Sequence, residues 1–113
     1  MHELSIVMSI IGIAEKEASR ANASQIEEIE LDIGALSGVE RASFDFAWTQ
    51  ATRHTILENA VRKINEINGS AHCSDCDAEF PIEHYYDPCP HCGSHLLAIQ
   101  SGKELRVRSL TIT

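Results

Sequence analysis

The sequence contains few basic residues. Its 113 residues include 9 Lys and Arg against 17 Asp and Glu, which gives a formal net charge of −8. Proteins that bind nucleic acid present a basic patch that displaces counterions from the phosphates. Although many small zinc-binding domains bind nucleic acid, the charge of this chain has the wrong sign, and we expect no such partner.

The sequence also lacks a long hydrophobic run. Its most apolar stretch, LSIVMSIIGIA at residues 4–14, is shorter than the roughly 20 residues that span a membrane. Gly12 and Ala14 resemble a signal-peptidase site, but His2 and Glu3 precede the run and no Lys or Arg does, unlike a secretory signal. We therefore expect no membrane association and a cytoplasmic protein.

Motifs of the common catalytic classes are missing too. The chain has no glycine-rich phosphate loop, no Ser/His/Asp arrangement and no conspicuous carboxylate pair, each of which would indicate an enzyme. The sequence shows no internal repeat either. We therefore expect that the protein is not an enzyme.

Cysteine is confined to two Cys-x-x-Cys pairs, Cys73 with Cys76 and Cys89 with Cys92, separated by residues 77–88. The short spacing beside Pro and Gly favours metal ligation over disulfides. Four soft thiolates from two tight turns are typical of a closed tetrahedral Zn²⁺ site that organises a fold. A rubredoxin-like iron site remains the alternative, and the colour of the protein would distinguish the two metals.

Several histidines surround these cysteines in the sequence. They are either exposed polar residues or, because imidazole titrates near neutral pH, groups that replace a thiolate or modulate the metal site. The four histidines are His72, His84, His91 and His95.

Hydrophobic periodicity predicts two helices. Residues 3–21 repeat apolar side chains at helical spacing, and the predicted buried stripe consists of Leu4, Val7, Met8, Ile11, Ala14 and Ala18. A second helix is predicted at residues 40–52, capped by Ser37 or Ser43. Its predicted apolar members are Ala42, Phe46, Ala47 and Ala51, with Phe44 and Trp48 flanking them.

Strands are predicted between and after these helices. Residues 26–34 alternate apolar and acidic side chains, which indicates one buried face and one solvated face. Residues 61–68 are predicted to be a strand, although a helix stays open there because apolar residues recur every three positions. The last strand, residues 103–113, changes phase near Ser109, so we predict a β-bulge that keeps all its apolar residues in the core.

The predicted fold is α+β, with two helices packed on a three-stranded sheet and an inserted zinc-ribbon-like module. The module comprises residues 71–102 and has too little apolar area to fold without its metal. The larger domain comprises residues 1–70 and is completed by the strand at 103–113.

The first three residues form a second candidate metal site. Met1 should be retained because His2 is too large for routine methionine removal. The α-amine, the following amide nitrogens and the His2 imidazole can form fused chelate rings in one plane, a geometry that Ni²⁺ and Cu²⁺ favour. Zn²⁺ gains little from that geometry, so the two sites would select different metals.

The whole chain resembles the HypA/HybF family, the nickel metallochaperones of nickel–iron (NiFe) hydrogenase maturation. Besides both Cys-x-x-Cys pairs, the resemblance rests on four segments: MHELS at 1–5, IGALSGVE at 33–40, DPCPHCG at 87–93 and SGKELRV at 101–107.

The resemblance implies two metal roles. The four cysteines would hold a structural Zn(II), whereas Met1, His2 and Glu3 would bind Ni(II) as cargo. Glu3 would supply a backbone nitrogen and is a candidate carboxylate ligand. The protein would deliver Ni(II) to the precursor of the NiFe-hydrogenase large subunit, with a HypB-type GTPase as a second partner. Some relatives also serve urease, so urease maturation factors are further candidate partners. A monomer or weak homodimer is expected.

Overall fold

A computed structural model describes residues 2–113 of the chain. Its two helices and six strands are α1 (His2–Arg20), β1 (Ile26–Gly34), α2 (Arg41–Ala51), β2 (Val61–Ile67), β3 (Gly69–Cys73), β4 (Glu79–Ile82), β5 (Leu97–Ser101) and β6 (Leu105–Ile112). The strands form two three-stranded sheets, ordered β2-β1-β6 and β4-β3-β5. The predicted α+β class is confirmed. The helix alternative for residues 61–68 is wrong, because β2 occupies them.

The chain divides into two compact units, each described separately below. The first consists of Met1–Leu31, Val39–Ile64 and Arg106–Thr113, and the second of Asp32–Gly38 and Asn65–Leu105. The boundaries 71–102 for the inserted module stay a prediction. Within residues 2–113, no helix is both long and apolar enough to cross a membrane.

In the first unit, α1 buries a stripe of residues three or four positions apart, as an amphipathic helix does. Its apolar members are Val7, Ile10, Ile11, Ala14 and Ala18. The predicted stripe was partly wrong, because Leu4 and Met8 are exposed, Met8 by 56%, while Ile10 is buried.

The α2 helix turns a different face inward from the one predicted. Phe44, Ala47 and Trp48 are buried, whereas Phe46 is 57% exposed. Arg62 of β2 explains part of this orientation, because its guanidinium lies 5.3 Å from the centre of the Trp48 ring and 5.8 Å from that of Phe44. A cation over aromatic faces is attracted by their negative π-clouds.

Neither predicted serine caps α2. The N-cap residue is Glu40, whose side chain accepts a hydrogen bond from the backbone N–H of Ser43. That N–H belongs to the first turn and has no acceptor within the helix. The bond lowers the pKa of the Glu40 carboxyl.

Two expectations about the strands need correction. Asp32 does not lie on a solvated acidic face: it is fully buried, and Asn65 donates a hydrogen bond of 3.0 Å to its carboxylate. In β6, Leu105 and Ile112 are exposed, so not all its apolar residues reach the core. Val107 and Leu110, half-buried and three positions apart, fit a phase change, and the bulge near Ser109 stays a prediction.

The second unit contains the sheet β4-β3-β5. Strand β3 pairs antiparallel with both neighbours, and its register with β5 shifts between Ser70 and Ala71. The core of this unit is small and includes two of the four cysteines; its buried members are Leu36, Ala71, Cys73, Phe80, Ile82 and Cys89. Such a core offers little apolar burial, so we expect this unit to depend on bonds to a metal.

Backbone segments of the second unit approach each other closely at Gly34 and Gly102. A Cβ atom on Gly34 would overlap the carbonyl group of Gly102 and lie 2.8 Å from the nitrogen of Glu104. Gly102 also has φ +108°, which side chains other than glycine rarely adopt. Two bonds of 2.7 Å, from Gly34 N–H to Glu104 and from Leu36 N–H to Gly102, join these segments.

Candidate metal centres

The four cysteine side chains converge on one point. Their Sγ atoms all lie within 4.8 Å of one another, and the Sγ atoms of Cys73 and Cys92, like those of Cys76 and Cys89, are 3.6 Å apart. Zn–S bonds of about 2.3 Å in a tetrahedron separate the sulfurs by about 3.8 Å, whereas a disulfide bond is about 2.05 Å long. The spacing therefore suits four thiolates around a single ion.

Both Cys-x-x-Cys turns are built by the same two hydrogen bonds. The carbonyl of the first cysteine accepts the N–H four residues on, at 2.9 Å after Cys73 and 2.8 Å after Cys89. The N–H of that cysteine donates to the carbonyl five residues on, at 2.8 Å in both turns. The residue that follows each pair has a positive φ, 60° at Asp77 and 78° at Gly93. Gly favours this conformation and Asp tolerates it.

The thiols of this cluster differ in acidity. Burial raises the pKa of Cys89, but the backbone N–H groups of Cys92 and His91, together with neighbouring thiols, lower it to about 6. The N–H of Ser94 lowers the pKa of Cys92, but burial and the other three thiols raise it to about 12. The Cys89 thiolate thus forms readily, and its negative charge opposes ionisation of the neighbouring Cys92 thiol. A divalent cation among the sulfurs would remove this repulsion, so the donor set suits such an ion.

The four histidines occupy separate positions. The ring of His72 lies 3.2 Å from the carboxylate of Asp77, and the ring of His84 packs against Tyr86 with centroids 4.9 Å apart. The backbone N–H of His91 lies 3.4 Å from Cys89 Sγ. The groups of metal-binding side chains found in residues 2–113 include none of these imidazoles. A modulating role for His72, His84, His91 or His95 stays a prediction.

The second candidate site lies at the start of α1. His2 is the first helical residue, with a side chain that is 59% exposed. The Glu3 side chain is largely buried, and its Oε2 atom contacts His2 Nδ1 at 3.1 Å and accepts the backbone N–H of Glu40 at 3.2 Å. Met1 lies outside the described residues.

Glu40 is a residue that sequence reasoning did not connect with this site. Its N–H lowers the pKa of the Glu3 carboxyl, and His2 adds a smaller effect in the same direction, so Glu3 is ionised at neutral pH. No spacing rule links two residues so far apart in the chain, and the contact depends on how α1 and α2 pack.

The fold and the four-thiol cluster define a small α+β metal-binding protein with a zinc-ribbon-like module. A family model described as hydrogenase/urease nickel incorporation, metallochaperone, hypA matches residues 1–112. The chain belongs to this family, which confirms the resemblance seen in the sequence.

Similar proteins agree over nearly the full length. The hydrogenase maturation factor HypA of Parabacteroides distasonis is 48% identical over 112 residues, which cover 99% of this chain and 97% of the relative. That of Geobacter metallireducens is 40% identical and covers 99% of both.

Two solution structures resemble the fold. The nickel metallochaperone HypA of Helicobacter pylori has a TM-score of 0.69 and 28% identity, covering 97% of this chain and 96% of that one. A structure described as HypA protein has a TM-score of 0.72 and 30% identity, covering 100% and 97%.

Proposed function

We propose that this protein binds Ni(II) at its N-terminus and delivers it to the large-subunit precursor of a NiFe hydrogenase. Membership of a nickel-incorporation family supports the cargo. The observation that carries the proposal is the exposed imidazole of His2 on the first turn of α1. An exposed site exchanges ligands easily, as a carrier requires, whereas a closed cage would retain the ion.

The start of a helix suits a site that uses amide nitrogens. The first four N–H groups of an α-helix have no acceptor within the helix. The amides of His2 and Glu3 are among them, since α1 begins at His2. Ni(II) can therefore replace their protons without breaking a hydrogen bond of the helix. Met1 would contribute the α-amine, and His2 the imidazole.

The same location also favours release of the ion. The N-terminus of a helix carries a partial positive charge, which disfavours a cation. The ionised carboxylate of Glu3 offsets part of that charge. We expect a site whose affinity is moderate, so that a partner offering better ligands can take the nickel.

The zinc module has a structural role in this proposal. Cys73, Cys76, Cys89 and Cys92 would hold Zn(II) and thereby stabilise a unit with a small core. Among the aromatic residues of this unit, Phe80 is buried in that core, whereas Tyr85 and Tyr86 are exposed. These two tyrosines are candidates for a docking contact.

The proposed partners follow from the family. A HypB-type GTPase would supply the nickel and the hydrogenase precursor would receive it, while urease maturation factors are further candidates. The chain itself would catalyse no reaction. Its task is to bind, protect and hand over the ion in the cytoplasm.

Metal binding by untagged protein with the His2→Ala substitution tests the proposal. Calorimetric titration with Ni(II) should show at least a tenfold loss of affinity, because the imidazole and its chelate ring are gone. Zinc measured by elemental analysis should stay at one ion per chain. A His95→Ala variant, which changes an exposed histidine far along the sequence, should bind nickel like the wild type.

A residue added before Met1 provides an independent test, because it converts the α-amine into an amide. We expect a similar loss of nickel affinity. Unchanged affinity in the His2→Ala protein would refute the N-terminal site. Red protein containing iron after aerobic purification would refute zinc at the four cysteines.

A further inference from the structure

The Oε2 atom of Glu3 has two partners, and their chemistry differs. The backbone N–H of Glu40 can only donate, at 3.2 Å. The Nδ1 atom of His2, at 3.1 Å, can donate or accept according to the tautomer of its ring. An ionised carboxylate accepts hydrogen bonds and donates none. The contact is therefore a hydrogen bond only when Nδ1 of His2 carries the proton.

The surroundings of Glu3 fix the position of its carboxylate. The backbone N–H of Glu40 donates to Oε2 at 3.2 Å, on the side chain that carries the contact with His2. The side chain of Glu3 is only 12% exposed, compared with 59% for His2. The carboxylate is thus held by a backbone group, while most of the imidazole beside it is exposed to solvent.

The position of the proton matters for the cargo. A neutral imidazole has one N–H group and one free lone pair. When Nδ1 bears the proton, the lone pair is on Nε2. Only Nδ1, however, can close a six-membered chelate ring with the amide nitrogen of the same residue, because Nε2 lies too far along the ring.

We infer that Glu3 is a positioning residue that holds His2 in its Nδ1–H form. The inference rests on the proposed nickel function. An incoming Ni(II) ion would then meet the lone pair on Nε2, because the side chain of His2 is 59% exposed and Nδ1 faces Glu3. Closure of the chelate then requires that the ring leave Glu3 and that Nδ1 give its proton to solvent as the Ni–Nδ1 bond forms. Nε2 releases the ion and takes up one proton from solvent, so the imidazole stays neutral. Release of the ion reverses both changes, so the contact with Glu3 favours the empty protein.

The tautomer of His2 in metal-free protein tests this inference directly. Long-range ¹H–¹⁵N spectra, recorded in mildly alkaline buffer, distinguish protonated from unprotonated ring nitrogens. The wild type should show Nδ1 of His2 mainly protonated. Predominantly Nε2–H imidazole would overturn the inference.

The Glu3→Gln variant provides the matched comparison. A glutamine oxygen can still accept the N–H of Glu40, but its amide group can also donate to Nδ1. The ratio of Nδ1–H to Nε2–H forms should therefore fall by about 3- to 10-fold, the equivalent of one modest hydrogen bond. Glu15→Gln, on an exposed part of the same helix, should leave the ratio unchanged. An unchanged ratio in Glu3→Gln protein would overturn the inference.

Titration of the same wild-type sample with Ni(II) separates this inference from the proposed function. Loss or shift of the His2 ring signals at one equivalent supports the nickel site. If the Nδ1–H form is observed and nickel leaves those signals unchanged, the proposed function fails. If nickel binds and the metal-free ring is in the Nε2–H form, only the role of Glu3 fails.

Discussion

Substitution of Gly34 by alanine should destabilise the unit that carries the four cysteines. The new Cβ atom would overlap the carbonyl of Gly102 and lie 2.8 Å from Glu104 N. Both obstacles are backbone atoms, so no side-chain rotation can relieve them. The segments must separate, which weakens the two 2.7 Å bonds that join them, one from Gly34 N–H and one from Leu36 N–H.

The magnitude follows from these contacts. Each weakened hydrogen bond contributes about 0.5–1.5 kcal/mol, and forcing an extra carbon into a packed site costs about 1–3 kcal/mol. Alanine recovers about 0.4–1 kcal/mol by restricting the unfolded chain. We expect the free energy of unfolding to fall by about 3 kcal/mol, a large share of the roughly 5–15 kcal/mol typical of domains.

Gly12→Ala is the matched control, because the same methyl group is added in open space. No atom lies within 4 Å of a Cβ at Gly12, which is inside α1. Alanine should therefore stabilise the protein by about 0.5–1 kcal/mol through its helix propensity.

Urea unfolding of zinc-saturated protein, followed by circular dichroism, measures both free energies. Amide hydrogen exchange at Leu36 provides a local check, since its N–H should lose protection only in the Gly34→Ala variant. A Gly34→Ala protein within 1 kcal/mol of the wild type would refute the close-approach argument. So would equal effects of the two substitutions.

Three further predictions concern other contacts. Arg62→Met should lower the free energy of unfolding by about 1–2 kcal/mol in urea titrations, because it removes a 2.8 Å contact with Asp45 and a cation over two aromatic rings. The control Arg53→Met changes an exposed arginine and should have little effect. Equal losses in the two variants would contradict a stabilising role for Arg62. Cys76→Ser should reduce bound zinc and the protection of the β3 amides against hydrogen exchange, while the α1 amides keep their protection. Full protection of β3 in protein without zinc would disprove that the second unit depends on its metal. Because the folded pKa of Glu40 lies below its ordinary value, its contribution is present above the unfolded pKa and is lost as the pH falls through the folded pKa. The free energy of unfolding, measured from pH 6 to pH 3, should therefore decline more in the wild type than in the Glu40→Gln variant. Parallel pH dependences in the two proteins would contradict a stabilising role for the Glu40 carboxylate as the N-cap of α2.

Local pattern was sufficient for most of the secondary structure. The alternation of residues 26–34 predicted β1 with its observed bounds, and the apolar spacing near the N-terminus predicted α1 to within a residue at either end. The inward faces were less predictable. Phe46 and Met8 are apolar residues that face solvent, because the packing partners of a helix, and not its composition alone, decide which stripe is buried.

The two candidate metal centres illustrate the division between sequence and tertiary structure. Cys-x-x-Cys spacing by itself predicts two turns that each present two thiols, because that geometry is local, and the four-residue set was complete before any fold was known. The sequence alone likewise suffices to propose His2 as a chelating residue, since the chelate rings it can form involve neighbouring atoms. Only the tertiary structure placed the N–H of Glu40 against the carboxylate of Glu3 and buried Asp32 beside Asn65. Such contacts join segments more than thirty residues apart, and no local rule of spacing determines which backbone group meets which side chain.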